Sequence, residues 1–285
     1  MASELARQLI DSGIHFGHRV SRWNPKMAPF IFGKRNLIHI IDIRETLKGL
    51  LRAKKFLSQV VARGQDVLFV GTKRQARFAI EKQAERCGMH WVTERWLGGT
   101  LTNFRTIRSR LQRLEELEAI EAEGRLGEYS KKMIASLTRE RRKIQRNLSG
   151  IRRMNRLPGV MVVVDVRREH IALKEAKKLG IPTVCLIDTD SDPDYADIPI
   201  PGNDDAMRAI VLMVEQLAEA IEEGKRARPA TPPPGADAGP KQPKRARDVS
   251  ARAGEEATAA PAEVAASEPP VDEVASPSGS TDAGA

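Results

Sequence analysis

The sequence of 285 residues lacks several features that mark membrane and secreted proteins. It contains no apolar run of about 18 residues, so it predicts no membrane-spanning helix. The first ten residues lack the basic-then-apolar order of a secretory signal. Only two cysteines occur, Cys87 and Cys185, and no CxxC spacing is present. Both lie in apolar surroundings, which predicts buried free thiols and a reducing cytoplasm.

The sequence also lacks the glycine-rich fingerprints of nucleotide-binding proteins, because neither GxxxxGK[ST] nor GxGxxG occurs. The segment Gly71-Thr-Lys-Arg74 still follows an apolar strand and opens a helix, where backbone amides and two cations can hold a phosphate. An RNA phosphate is the favoured ligand, a structural helix cap is the next interpretation, and a nucleotide comes last.

Charge is unevenly distributed along the chain. There are 47 Lys and Arg against 38 Asp and Glu, which gives a formal net charge of +9 and favours nucleic acid or an anionic membrane as partner. Residues 225–285 contain no Phe, Trp, Tyr, Leu or Ile but 10 of the 17 prolines. This tail is predicted to be disordered, since it cannot bury enough apolar area to offset its ordering entropy.

Residues 1–224 alternate between apolar strands and amphipathic helices. Buried apolar runs on both sides of helices are typical of parallel strands covered on both faces. The predicted fold is therefore α/β, an open, mainly parallel sheet with helices on both faces. The predicted strands are 66–71, 159–165 and 183–188, with shorter ones at 91–93 and 198–200; the helices are 72–87, 168–179 and 204–223. A small hairpin is predicted from strands 30–32 and 37–40 around a turn at 33–36.

One stretch, residues 101–155, breaks this alternation. Its apolar residues recur with a spacing near seven in two long segments separated by a glycine break, which predicts an antiparallel coiled-coil hairpin. Residues 105–155 carry fourteen basic and seven acidic groups. A solvated charged face is one interpretation. The excess of arginine favours contacts with phosphate.

Two side-chain roles stay open in the loop that enters this hairpin: which threonine caps the next helix, and what Trp96 contacts. The loop is Arg95-Trp-Leu-Gly-Gly-Thr-Leu-Thr-Asn103. Gly98 and Gly99 allow a partner to approach the backbone closely. Thr100 or Thr102 can cap the following helix. Trp96 either stacks on a base or wedges two parts of the protein together.

Two polar clusters raise the question of a metal site. His15 and His18 lack a nearby third ligand, so packing in a loop or contact with RNA is favoured over zinc. The aspartates that follow the later strands are interpreted mainly as helix caps, with Asp204 at the start of the last helix. A divalent ion held by Asp188, Asp204 and Asp205, with Asn24 or Asn203 adding a carbonyl oxygen, is the minority hypothesis. No other cofactor is predicted.

Seven short segments in this order resemble the bacterial ribosomal protein S-two family. They are His15-Phe-Gly-His18, Trp23-Asn-Pro-Lys26, 36–42, 68–73, 95–103, Glu169-His-Ile171 and 200–206. The resemblance runs from about Leu5 to about Gly224. It implies an αβα sandwich with a protruding coiled-coil hairpin. It also implies binding of small-subunit ribosomal RNA between head and body, late in assembly near the mRNA exit, and docking of ribosomal protein S-one.

These observations predict a structural RNA-binding protein of the cytoplasmic small ribosomal subunit, with no catalytic site. Its partners are ribosomal RNA and neighbouring ribosomal proteins including S-one, with no membrane and no small-molecule substrate. The predicted parts are a discontinuous sandwich domain (1–100 and 156–224), the coiled-coil hairpin (101–155) and the tail (225–285). The predicted RNA-contacting residues are Trp23, Asn24, Lys26, Lys73, Arg74, Arg95, Asn103, Arg105, Arg108, Arg139, Arg142 and Lys143.

Two other hypotheses remain open from the sequence. A phosphosugar- or nucleotide-using enzyme is compatible with the same α/β scaffold. Against it, no paired acid and base can be named beside Gly71-Thr-Lys73. A free RNA-binding regulator is the third hypothesis, which cofractionation with ribosomal subunits would distinguish from a ribosomal component.

Overall fold

The computed structural model describes residues 2–125 and 129–228, and within them the chain forms two sheets. The smaller sheet is antiparallel, in the order β1-β3-β2. The larger sheet is parallel throughout, in the order β5-β4-β6-β7-β8. The strands are β1 (Phe16–Arg19), β2 (Ile31–Arg35), β3 (Ile38–Ile41), β4 (Val67–Val70), β5 (His90–Val92), β6 (Val160–Val164), β7 (Thr183–Ile187) and β8 (Ile198–Pro201).

The larger sheet carries helices on both faces, because its strands point side chains alternately into two separate cores. The helices are α1 (Ala2–Asp11), α2 (Ile43–Ala62), α3 (Arg74–Arg86), α4 (Phe104–Ala122), α5 (Lys131–Leu148), α6 (His170–Leu179) and α7 (Met207–Arg226). Val67 and Phe69 of β4 pack into one core with α1, α2, α3 and α7. Leu68 and Val70 pack into the other with α6 and the start of α4. The predicted α/β class with a mainly parallel sheet is confirmed.

Two helices and one strand were not anticipated from the sequence. Neither α1 nor α2 was predicted. Yet α2 has helical spacing of buried residues and is capped by Asp42, whose carboxylate accepts from the Arg44 amide at 2.8 Å. Strand β1 has only four residues and pairs with β3 through an irregular register, so it leaves little periodic signal.

The predicted small hairpin is present as β2 and β3, but its turn lies further along the chain. The central residues are Asn36 and Leu37, with φ of 50° and 62°. Two consecutive positive φ angles are typical of the tight turn that joins antiparallel strands. Asparagine tolerates this conformation well, whereas leucine adopts it rarely, so the sequence pointed to Gly33 instead.

The helices begin two to three residues later than predicted, and the capping assignments were wrong. The residue before α7 is Ala206, and Asn203 accepts hydrogen bonds from the amides of Asp205 and Ala206. Asp204 therefore does not cap the helix. Likewise Asn103 precedes α4, and Thr100 donates its hydroxyl hydrogen bond to the Leu97 carbonyl.

Two remaining predictions concern the cysteines and the tail. Cys87 and Cys185 are buried free thiols, as predicted. Burial raises the pKa of Cys87 to about 11 and that of Cys185 to about 12. Helix α7 continues to Arg226, beyond the predicted start of the tail at 225. The rest of that predicted disordered segment, 229–285, lies outside the described residues.

Candidate nucleic-acid interface

The carboxyl ends of β4, β6 and β7 meet at one edge of the parallel sheet, where open α/β sheets usually bind ligands. Lys73 follows β4, and its Nζ lies 2.6 Å from Asp204 Oδ1 and 3.6 Å from Asp165 Oδ2. It also forms an ion pair with Asp205. Burial by itself lowers the pKa of Lys73. The neighbouring carboxylates together raise it by more, so the net shift of the pKa is upward. Lys73 is therefore held by carboxylates rather than presented to a phosphate.

His18 joins the same cluster from the other side. Its Nδ1 lies 3.0 Å from Asp188 Oδ2, and its Nε2 lies 3.4 Å from Asp205 Oδ2. The close contact with the Asp188 carboxylate raises the pKa of His18 to about 9. Burial, with Asp165 and Asp188 nearby, raises the pKa of Asp204 to about 7.

Close packing of the His18 segment on β7 makes this cluster possible. The His18 amide donates to Thr189 Oγ1 at 2.9 Å. A Cβ on Gly17 would lie 2.6 Å from the Thr189 methyl carbon, so only glycine fits there. The partners are 171 residues apart in sequence, and no local spacing signals their contact.

This cluster has the donor types of a metal site. One ligand atom each from His18, Asp188 and Asp204 lies within 4.8 Å of the others. Imidazole nitrogen and carboxylate oxygen are donors that zinc accepts. A metal ion would have to displace the proton of His18 and compete with Lys73 for Asp204. Of the residues considered from the sequence, the cluster unites His18, Asp188, Asp204 and Asp205, so the further ligand types that the sequence did not place beside His18 come from distant segments. His15 instead lies against the Phe16 ring.

The Trp23-Asn-Pro-Lys26 segment is fixed by its own contacts. Asn24 donates its amide to the Thr189 carbonyl at 2.8 Å, and its side chain accepts from the Lys26 amide. Lys26 forms ion pairs with Asp192 and Asp194, which raise its pKa. Trp23 is 37% exposed and lies 5.1 Å, between ring centroids, from the buried His39. The indole therefore keeps an accessible surface, whereas the ammonium of Lys26 is neutralised.

A buried carboxylate organises the loop 96–102, and no local pattern in the sequence indicated it. Glu175 of α6 is 8% exposed. One of its oxygens accepts from Trp96 Nε1 at 3.0 Å and the Gly99 amide at 2.8 Å. The other accepts from the amides of Leu101 and Thr102 and from the Thr102 hydroxyl. Burial raises the pKa of Glu175, but these donors lower it more, so the carboxylate stays ionised.

This arrangement settles the two open interpretations of the loop. Trp96 is 7% exposed and belongs to the core beside α4, so it wedges the loop against the sheet domain and is not free to stack. Thr102 donates to Glu175 and does not cap α4. The loop thus sets Arg95 and Asn103, both exposed, at the entry to α4.

The cations of α4, α5 and the turn after α5 fall mainly into two groups. The first makes ion pairs: Arg113 with Glu140 at 3.9 Å, Arg146 with Glu94 at 2.8 Å, Arg152 with Glu118 at 2.7 Å, and Arg141 with Glu121. The second is exposed and makes no ion pair with any described carboxylate; it contains Arg105, Arg110, Lys131, Lys132, Arg139, Arg142 and Lys143. Arg108, half-buried, donates to the Met154 carbonyl at 3.3 Å.

Together, the fold and these contacts define a basic α/β protein in which ion pairs occupy the sheet edge beside Lys73 and unpaired cations line two neighbouring helices. No helix within the described ranges is long and apolar enough to cross a membrane.

Comparison with known proteins agrees with this class. The model of the family "Ribosomal protein S2" matches residues 9–224. A small ribosomal subunit protein uS2 from Rhodopirellula baltica is 62% identical over 240 residues, covering 84% of this chain and 92% of the relative. Proteins of the same name from Syntrophobacter fumaroxidans (51% over 226 residues; 79% and 82%) and Acidothermus cellulolyticus (53% over 231 residues; 81% and 84%) are also similar.

The chain belongs to the ribosomal protein S2 family. The family consists of structural proteins of the small ribosomal subunit, located in the cytoplasm, and not of enzymes. The predicted family and the predicted absence of catalysis are therefore confirmed, and the enzyme hypothesis is set aside.

Proposed function

We propose that this chain binds small-subunit ribosomal RNA through unpaired cations of α4, of α5, of the loop before α4 and of the start of α3. The observation that carries the proposal is a group of exposed basic residues that no described carboxylate neutralises. They are Arg74, Arg95, Arg105, Arg139, Arg142 and Lys143, with the exposed amide of Asn103 beside them. A guanidinium group without a carboxylate partner can bind a phosphate without first losing an ion pair.

The other predicted contact residues are not expected to contribute equally to RNA binding. Lys26 and Lys73 already bind two and three carboxylates, so we expect them to contribute little to phosphate binding. Trp23 and Asn24 line an open cleft with Arg22, Arg167 and Asp190, and Asp190 pairs with Arg167 at 2.9 Å. An exposed indole beside Arg22, which pairs with no described carboxylate, suits an unpaired base, and this makes Trp23 the better candidate of that segment.

The proposal includes a finer architecture for residues 101–155, called the basic arm below. We infer that residues 101–155 form a protruding antiparallel coiled-coil hairpin, separate from a sandwich domain of 1–100 and 156–224. Its support is the contact between α4 and α5 and the ion pairs that join Arg113 to Glu140 and Arg141 to Glu121. Such a hairpin would present its unpaired cations along one extended surface.

The place of the chain in the subunit follows from the family resemblance. We propose that it binds between head and body near the mRNA exit, supports late assembly, and docks ribosomal protein S-one. On sucrose gradients of a cell lysate, the chain should sediment with small subunits. A chain found only in the unassembled fractions would favour the free-regulator hypothesis.

The basic arm can be tested by removing its charges without breaking its ion pairs. The variant carries Arg139→Gln, Arg142→Gln and Lys143→Gln, which keep good helix formers at exposed positions. Binding to a small-subunit RNA fragment should weaken, and the slope of log affinity against log salt should fall by roughly one unit for each phosphate that is no longer bound.

A matched control removes the same charge from paired positions, with Arg113→Gln, Arg141→Gln and Arg152→Gln. These side chains contact glutamates, so this variant should lose less RNA affinity and more thermal stability. Equal falls in affinity in the two variants would mean that only net charge matters. An unchanged salt slope in the first variant, with an unchanged circular-dichroism spectrum, would refute the RNA role of the arm.

A further inference from the structure

The small sheet β1-β3-β2 has an outer face that combines aromatic, aliphatic and cationic side chains. Phe16 and Gly33 both pair with Ile40 of β3. Two residues back along β3, Ile38 pairs with Arg19 and Arg35, and an irregularity in β1 between Phe16 and Arg19 takes up the extra residue. Directly paired residues share a face, as do residues two apart on a strand. These six residues therefore form one face, called the outer face below.

The outer face is accessible, whereas the opposite face is buried along the central strand β3. Phe16 is 46% exposed, Arg19 and Arg35 are exposed, and Ile38 and Ile40 are half-buried. A Cβ on Gly33 would meet no atom within 4 Å, so the space above it is open. On the other side, His39 and Ile41 of β3 are 7% and 1% exposed, whereas Phe32 on the edge strand β2 is 79% exposed. An exposed phenylalanine on a sheet with its interior side already packed is not needed for the core.

The segment that builds this sheet carries charge of one sign. Residues 12–41 contain five Lys and Arg and no Asp or Glu. Within the described part of the chain, carboxylates form ion pairs with this segment only at His18 and Lys26. Neither residue belongs to the outer face. Arg19 and Arg35 thus flank the apolar centre with unneutralised positive charge.

We propose that the outer face is a binding surface for unpaired RNA. Phe16 stacks on a base, Gly33 leaves room for the backbone, and Arg19 and Arg35 hold neighbouring phosphates. A sheet that stacks bases on exposed aromatics and holds phosphates with flanking cations is a recurrent solution for single-stranded RNA. The excess of positive charge favours RNA over a protein partner, which would need acidic groups to match it. This inference rests on the proposed function and adds to it a second contact surface.

The test uses the full chain and an oligouridylate of roughly 12 nucleotides, a length within the usual range of single-strand sites. Phe16→Leu keeps an apolar side chain but removes the aromatic ring, and should weaken binding roughly fivefold or more. Arg19→Gln with Arg35→Gln should weaken binding and lower the salt slope by about 0.7 for each phosphate that is no longer bound. Ultraviolet cross-linking should join uridine to the peptide that contains Phe16.

The matched control is Arg52→Gln with Lys55→Gln on α2, where both side chains are exposed and form no ion pair with a described residue. It removes the same charge and should bind the oligouridylate nearly as the unaltered chain does. Circular dichroism checks that each variant is folded, and the arginine pair tests the face even if Phe16→Leu fails to fold.

Three results would overturn the inference. One is unchanged affinity of the folded sheet variants; another is cross-linking confined to α4 and α5. The third is a sheet variant that binds RNA normally but no longer enters small subunits, which would assign the face to a protein partner. The proposed function fails separately, if the chain binds no small-subunit RNA fragment or the α5 variant keeps its salt slope.

Discussion

Replacing Glu175 by glutamine should destabilise the protein far more than the removal of one surface charge. The carboxylate is buried and accepts five hydrogen bonds, two on one oxygen and three on the other. Glutamine has the same shape but offers only one accepting oxygen, and its amide nitrogen donates. Some of the groups that now donate to Glu175 would therefore face the amide nitrogen of glutamine, which is itself a donor.

The cost follows from the donors left without an acceptor. If the glutamine oxygen takes the position with three donors, the amide nitrogen faces the Trp96 indole N–H and the Gly99 amide. Each buried donor without a partner costs about 1–3 kcal/mol. Two such donors give about 2–6 kcal/mol, and relaxation of the Gly98 end of the loop favours the lower half of that range. We expect a decrease of about 3 kcal/mol in the free energy of unfolding.

The measurement is urea unfolding of the full chain, followed by the near-ultraviolet signal of its tryptophans. The control is Glu118→Gln, whose carboxylate is partly exposed and ion-paired with Arg152, so its removal should cost under about 1 kcal/mol. A Glu175→Gln variant as stable as the control would show that the hydrogen bonds to this carboxylate do not hold the loop. We also expect weaker RNA binding by Glu175→Gln, because Arg95 and Asn103 would no longer have a fixed position.

Two further predictions concern pH and the chain terminus. The pKa of His18 is raised to about 9, so its contribution is complete below the unfolded value of about 6.5 and disappears as pH rises through about 9. His18→Gln should therefore flatten the fall in stability over that window; an unchanged fall would refute the role of the Asp188 pair. Deleting 229–285 should leave the unfolding free energy unchanged, since that segment holds no Phe, Trp, Tyr, Leu or Ile. Deleting 225–285 should cost about 1 kcal/mol, because Lys225 Nζ bonds the Cys87 and Gly88 carbonyls after α3; equal stability of both truncations would contradict this.

The sequence by itself determined the sheet and its class, because that information is local. Runs such as Val160–Val164 are buried on both faces, so they remain apolar throughout and reveal parallel strands without any tertiary knowledge. The family resemblance likewise rests on short contiguous segments. The excess of arginine between 105 and 155 was visible in the same way, since charge can be counted along the chain.

Only the tertiary structure decided which cationic side chains are free and which form ion pairs. Lys73 and Arg74 are neighbours in sequence, yet the first lies among three carboxylates and the second is exposed. Arg141 and Arg142 differ in the same way, because successive helical residues point about 100° apart and one of them reaches Glu121 across to α4. The partners of Lys73, His18 and Glu175 lie between 73 and 187 residues away along the chain. Contacts at that separation depend on how the strands are ordered in the sheet, which no local pattern encodes.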